Sequence, residues 1–106
     1  MATLLVLTNV PDQAIAERMA RHIVAARLAA CVNILAPCQS VYRWQGAIEA
    51  VAEIPLLIKS TEERYPALES AIKAMHPYDV PEIIAVPIAA GLQAYLGWID
   101  EQTRPI

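Results

Sequence analysis

At 106 residues the chain is sized for one domain, 1–106. At 57% hydrophobic it exceeds the roughly 45–50% usual for a globular domain. A net charge of −3 with eight scattered Lys and Arg residues excludes a basic nucleic-acid surface, and no apolar run approaches the roughly 20 residues a bilayer span needs. The first residues carry neither a basic leader region nor a small-residue cleavage site, so the expected location is cytoplasmic and the surplus apolar surface is assigned to a subunit interface.

Residues 3–8, Thr-Leu-Leu-Val-Leu-Thr, are apolar on both faces and predict a central strand covered on both sides. Asn9, Pro11 and Asp12 give a turn and a helix start. Over 12–27, Ile15, Met19, Ile23 and Ala26 recur at helical spacing while Glu17, Arg18 and Arg21 take the wet side. No glycine closes this helix, which leaves its exit near Leu28 open.

Residues 29–60 predict one long β-hairpin: a first arm over 30–44, a tip at Gln45-Gly46 and a second arm over 47–60. In the second arm Ile48, Ala50, Ala52, Ile54, Leu56 and Ile58 alternate with Glu49, Val51, Glu53, Pro55, Leu57 and Lys59, the period of two that a strand imposes. Fourteen residues at roughly 3.3 Å each reach about 45 Å, far beyond the compact body that such a chain builds, about 13 Å in radius of gyration. The hairpin must therefore bend or project, and whatever projects needs a neighbouring chain to cover it. Pro37 and Pro55 cannot donate ladder hydrogen bonds and are expected at a bulge or an edge. Cys31 and Cys38 on the same extended arm are too far apart to bridge, so both are expected reduced and buried.

Ser60 and Glu63 have capping-box spacing, with Thr61 as a competing cap, for a second helix whose buried stripe is Tyr65, Leu68, Ile72 and Met75. Pro66 fits only its first turn, and His76-Pro77 ends it. A strand over 82–88 and a short helix over 92–102 complete the chain. The order is that of a ferredoxin-like βαββαβ sandwich, an α+β fold, with a long β-hairpin and an extra C-terminal helix. The three glycines lie away from the first turn, which disfavours a dinucleotide fold.

No nucleophile elbow, P-loop, HExxH or paired CxxC is present, and the expectation is a binding protein rather than an enzyme. Residues 75–82 hold an imidazole, a phenol and two carboxylates between prolines, a stiff loop suited to binding. His76 taken alone is better explained as a cation at the negative end of a helix, since a histidine in the last turn is a common stop signal. Soft sulfur with imidazole suits copper, which makes His76, Cys31 and Met75, with Cys38 and His22, the candidate metal ligands, although their spacing is not that of a metal motif. Tyr42, Trp44, Tyr95 and Trp98 supply either packing, with Trp44 and Trp98 covering each other, or an aromatic cleft. Lys59, at a strand end before a helix, is the candidate anion binder.

Several stretches taken together resemble the CutA divalent-cation tolerance family: Ala29-Ala30-Cys31-Val32-Asn33-Ile34, Ser40-Val41-Tyr42-Arg43-Trp44-Gln45-Gly46, Glu53 through Ile58-Lys59-Ser60, His76-Pro77-Tyr78-Asp79-Val80-Pro81-Glu82-Ile83-Ile84, and Tyr95-Leu96-Gly97-Trp98. The resemblance implies a homotrimer whose long strands pair across subunits, a cytoplasmic role in the response to divalent metal ions, copper above all, and a PII-like regulatory architecture. It places Tyr42, Trp44, Glu53, Lys59, Tyr78, Glu82 and Trp98, with Cys31 and His76, around a cleft between subunits. It links copper to a cysteine at the end of the first strand and a histidine pair before Pro-Tyr. Here those positions hold Thr8 and, before His76, Met75. The alternative is a trimer that senses a small anion or metabolite and holds no metal of its own.

Overall fold

The computed structural model describes residues 2–105, so the leader reading at Met1 lies outside the described residues. Strand β1 (Thr3–Val10) leads to helix α1 (Gln13–Ala25). Asp12 caps α1, its side chain accepting from the Ile15 amide at 2.9 Å, which satisfies one of the free donors of the first turn. The helix closes without glycine. Arg27 takes the left-handed conformation at φ 60°, and the Leu28 amide reaches back to the Ile23 carbonyl at 2.9 Å. An arginine here has a second use, because its guanidinium donates to the carbonyls of Arg104 at 2.6 Å and Glu101 at 2.9 Å and so ties down the last helix.

The first arm of the hairpin is two strands, not one. β2 (Cys31–Ile34) and β3 (Cys38–Trp44) both pair with β4 (Ala47–Thr61), separated by Leu35, Ala36 and Pro37. Ile34 faces Leu56 and Cys38 faces Glu53, so three residues of the first arm answer to two of β4. This is a one-residue bulge. Pro55 lies opposite it, its carbonyl taking the Leu35 amide at 3.0 Å, so the N–H that proline lacks falls where the ladder is already broken. At the tip, Gln45 (φ 48°) and Gly46 (φ 81°) form a two-residue turn with both central φ values positive, the type I′ geometry whose twist matches the flanking strands.

Helix α2 (Tyr65–Met75) follows, with Pro66 in its first turn. The predicted capping box does not form. Ser60 and Thr61 are still in β4, the buried Ser60 hydroxyl donates to the Leu28 carbonyl at 2.6 Å, and the Thr61 hydroxyl, the competing cap, accepts the Arg64 amide at 3.4 Å. Strand β5 (Ile83–Pro87) and helix α3 (Gln93–Gln102) finish the fold. The antiparallel sheet runs β2-β4-β1-β5, with β3 continuing beside β4. This is the ferredoxin-like α+β arrangement.

Alternate positions of the strands face α1 and α2. Val6, Val10, Leu56 and Ile58 meet Met19, Ile23, Leu68 and Ile72 in one buried cluster, and removing such a side chain to alanine costs about 2–5 kcal/mol. The other face is more open than the sequence predicts for β1. Leu5 and Leu7 are only half-buried, and beside them on β5 Ile84 is 50% exposed. Helix α3 covers part of this face, lying against β1 and β4. Beyond Ile54, where β1 ends, β3 and residues 47–53 of β4 pair only with each other. This ribbon stretches the molecule to 45 × 26 × 23 Å and leaves Ile48 65% and Trp44 55% exposed.

Candidate functional site

The place where the ribbon leaves the sheet forms a cleft of about 610 Å³. The ribbon contributes Tyr42, Trp44, Val51 and Glu53, with Ser40 and Val41, and the loop between α2 and β5 contributes Tyr78, Val80 and Glu82. Strand register explains the first group. Cys38 faces Glu53, Ser40 faces Val51, Tyr42 faces Glu49 and Trp44 faces Ala47, so the even positions of β3 share a face with the odd positions of β4.

The loop is held by the end of β1. His76 is buried at the C-terminus of α2, where its Nε2 lies 2.7 Å from the Asn9 carbonyl and its Nδ1 accepts the Tyr78 amide at 3.2 Å. A backbone N–H can only donate, so Nδ1 is unprotonated and Nε2 carries the proton given to Asn9. His76 thus stands at the C-cap of α2 and clamps the loop to the end of β1. Its ring tilts against that of Tyr78, with centroids 4.6 Å apart. The Asn9 side chain donates to Glu82 at 3.3 Å. From this base Tyr78 donates its hydroxyl to the Glu53 Oε2 at 2.9 Å and bridges loop to ribbon. Burial, then the hydrogen bond to Glu53, pushes the Tyr78 phenol up to about 12.

Residues 4–102 match the family described as CutA1 divalent ion tolerance protein. The chain belongs to the CutA1 family. It is 48% identical over 98 residues to the divalent-cation tolerance protein CutA of Thermus thermophilus, a match covering 92% of this chain and 95% of that one. Among solved structures, CutA1 of Oryza sativa superposes with a TM-score of 0.95 at 42% identity, covering 98% of this chain and 95% of the other. The Thermus thermophilus Cut A1 structure superposes at 0.94 and 46%, covering 96% and 99%.

Of the cleft residues expected from the CutA resemblance, Tyr42, Trp44, Glu53, Tyr78 and Glu82 come together. Lys59 and Trp98 do not join them. Lys59 shares the odd face of β4 but sits six residues from Glu53, about 20 Å along the strand, and its Nζ donates to Asn33. Trp98 stacks on Tyr95 within α3, ring centroids 5.6 Å apart, and does not pair with Trp44 inside the chain. The candidate metal ligands lie apart. His76 has both ring nitrogens engaged, Cys31 lies beside Asn33 and the Tyr95 phenol, and Met75 packs against the core. Among the described residues no group of three or more His, Cys, Asp or Glu side chains is gathered to hold a metal ion. The residues of one chain therefore do not fit a copper site. Both cysteines are free but half-buried, less enclosed than the sequence predicts. Asn9, which reads as a turn residue, was missed as the anchor of the loop; its partners His76 and Glu82 lie 67 and 73 residues away, beyond any local signal.

Proposed function

We propose that the chain works as a homotrimeric, cytoplasmic binding and signalling module in the response to divalent metal ions, copper in particular, with a PII-like regulatory architecture and no catalytic chemistry. The observation that carries this reading is the ribbon. Residues 38–53 stand clear of their own sheet with Val41, Trp44 and Ile48 in the open, and both ribbon edges offer unpaired backbone groups. A neighbouring chain satisfies both at once. The metal-ion role is supported by the names of the relatives, and a single chain contributes no convergent ligand set to it.

Sedimentation at micromolar concentration tests the assembly, with an expected mass three times the 11.6 kDa of the chain. A well-folded single chain overturns it. Titration of copper(I) and copper(II) into the protein and its His76→Ala variant tests the metal arm. Because both His76 nitrogens are engaged, the variant is expected to bind copper as the parent does. A loss of tenfold or more makes His76 a ligand. A small anionic ligand is disfavoured at the cleft, which presents two carboxylates and no Lys or Arg.

A further inference from the structure

The ribbon is joined to the body through one unbroken strand. β1 stops at Val10, opposite Ile54, and the first arm is interrupted at Leu35, Ala36 and Pro37, so only β4 runs from sheet into ribbon. Glu53, the first ribbon residue of β4 reached from the sheet, is buried and accepts the Tyr78 hydroxyl on Oε2 at 2.9 Å. Among the described residues this is the one side-chain hydrogen bond between residues 38–53 and the rest of the chain. Its other end is anchored on the sheet. Tyr78 is fastened to His76 by its amide and by ring contact, His76 Nε2 lies 2.7 Å from the Asn9 carbonyl, and Asn9 stands opposite Pro55 on β4. The path from Pro55 through Asn9, His76 and Tyr78 to Glu53 therefore leaves β4 on the sheet side of the junction and returns to it on the ribbon side. That is a brace across a hinge.

We infer that Tyr78 is a positioning residue for assembly: its bond to Glu53 fixes the direction of the ribbon, and through it the register in which a second copy of this chain is met. Leverage makes the direction matter. Six residues separate Glu53 from Ala47, about 20 Å of strand, so a swing of about 15° at the root carries the tip about 5 Å, one full strand spacing. Two strands alone are marginally stable and give the ribbon little stiffness of its own. An unbraced ribbon visits several directions, and only the fraction pointed correctly can pair. A hydrogen bond to a charged acceptor biases such a choice by roughly tenfold or more. The brace lies within one chain and needs no open cleft, so a neighbour seated on Val41 and Trp44 leaves it intact. Its effect on assembly rests on the trimer proposed above; the brace itself does not.

Three variants of the full chain test this. Tyr78→Phe keeps the ring against His76 and loses the bond. Glu53→Gln keeps an acceptor for Tyr78. Tyr65→Phe is the control, because it removes a tyrosine–glutamate bond of similar length, Tyr65 to Glu69 at 2.8 Å, on α2. Each is diluted from denaturant at several micromolar concentrations. The concentration-dependent phase, followed by size exclusion, isolates assembly from folding, and circular dichroism confirms recovery of the fold. Tyr78→Phe is expected to assemble at least about tenfold more slowly than the parent, and Glu53→Gln and Tyr65→Phe to stay within about threefold. Hydrogen exchange of amides 39–52 is expected to be at least about fivefold faster in Tyr78→Phe alone. Assembly and exchange of Tyr78→Phe within twofold of the parent overturn the inference. So does a Glu53→Gln variant as slow as Tyr78→Phe, which assigns the effect to charge, or a Tyr65→Phe variant as slow, which assigns it to general stability. A parent that sediments as a single chain overturns the trimer instead, and hydrogen exchange then decides the brace by itself.

Discussion

Replacing Thr8 by valine is expected to make the protein more stable. Thr8 lies on the helix-facing side of β1 between Leu56 and Ile83, 1% exposed, and its Oγ1 has no hydrogen-bond partner among the described residues. Leaving a hydroxyl buried and unpaired costs about 1–3 kcal/mol. Valine has the same branching and nearly the same volume, so the substitution removes the penalty without opening a cavity. The expected gain is about 1–2 kcal/mol, and for a domain of this size each kcal/mol moves Tm by about 4–8 °C. Guanidinium chloride unfolding measures it, at one fixed protein concentration because assembly feeds into apparent stability by mass action. The midpoint should rise with the slope unchanged. Thr8→Ser keeps the hydroxyl and removes the methyl, and should lose stability, which separates polarity from packing. A valine variant destabilised by 0.5 kcal/mol or more would show that the hydroxyl has a partner and that its burial is compensated.

Ser60→Ala removes the donor that serves the buried Leu28 carbonyl and should cost about 1–3 kcal/mol in the same assay; a neutral result would mean that the carbonyl finds another donor. Gln45→Asn should gain a few tenths to about 1 kcal/mol, since asparagine tolerates the left-handed φ of 48° at the hairpin tip better than glutamine does. Tyr78 predicts alkaline sensitivity. Its phenol titrates at the ordinary 10.0 when unfolded and at about 12 when folded, so the folded state holds the extra proton over that interval and stability falls as pH rises from 10 to 12. Tyr78→Phe should flatten that part of a pH–stability curve, and an unchanged slope would assign the loss to other groups.

The elements were legible where local rules act alone. Asp12 caps α1 as its position predicts, His76-Pro77 ends α2, and the alternation of β4 shows in its burial from Ile54 to Ser60. The capping box failed because β4 runs through Thr61 and keeps Ser60 for the Leu28 carbonyl, a tertiary use of a residue with local capping propensity. The CutA resemblance set the aromatic and acidic residues around a cleft between subunits, and within one chain Tyr42, Trp44, Glu53, Tyr78 and Glu82 come together. Parity puts Lys59 and Glu53 on one face without revealing the distance between them, and Trp98 belongs to a helix whose docking depends on Arg27, 77 and 74 residues away from the carbonyls it holds. The bond from Tyr78 to Glu53 joins a loop to a strand 25 residues earlier, and nothing within either segment announces it.

The single surplus residue among Leu35, Ala36 and Pro37 has an evolutionary consequence. Upstream of it odd-numbered residues look toward the α3 side of the sheet, and downstream even-numbered ones do. Deleting Ala36 would restore uninterrupted pairing with Cys38 still opposite Glu53 and Trp44 still opposite Ala47, so Tyr42 and Trp44 would keep the face of Glu53 while the break between sheet and ribbon closed. One codon gained or lost therefore sets the angle at which the ribbon leaves the sheet, while the pairs within the ribbon and every helix stay as they are.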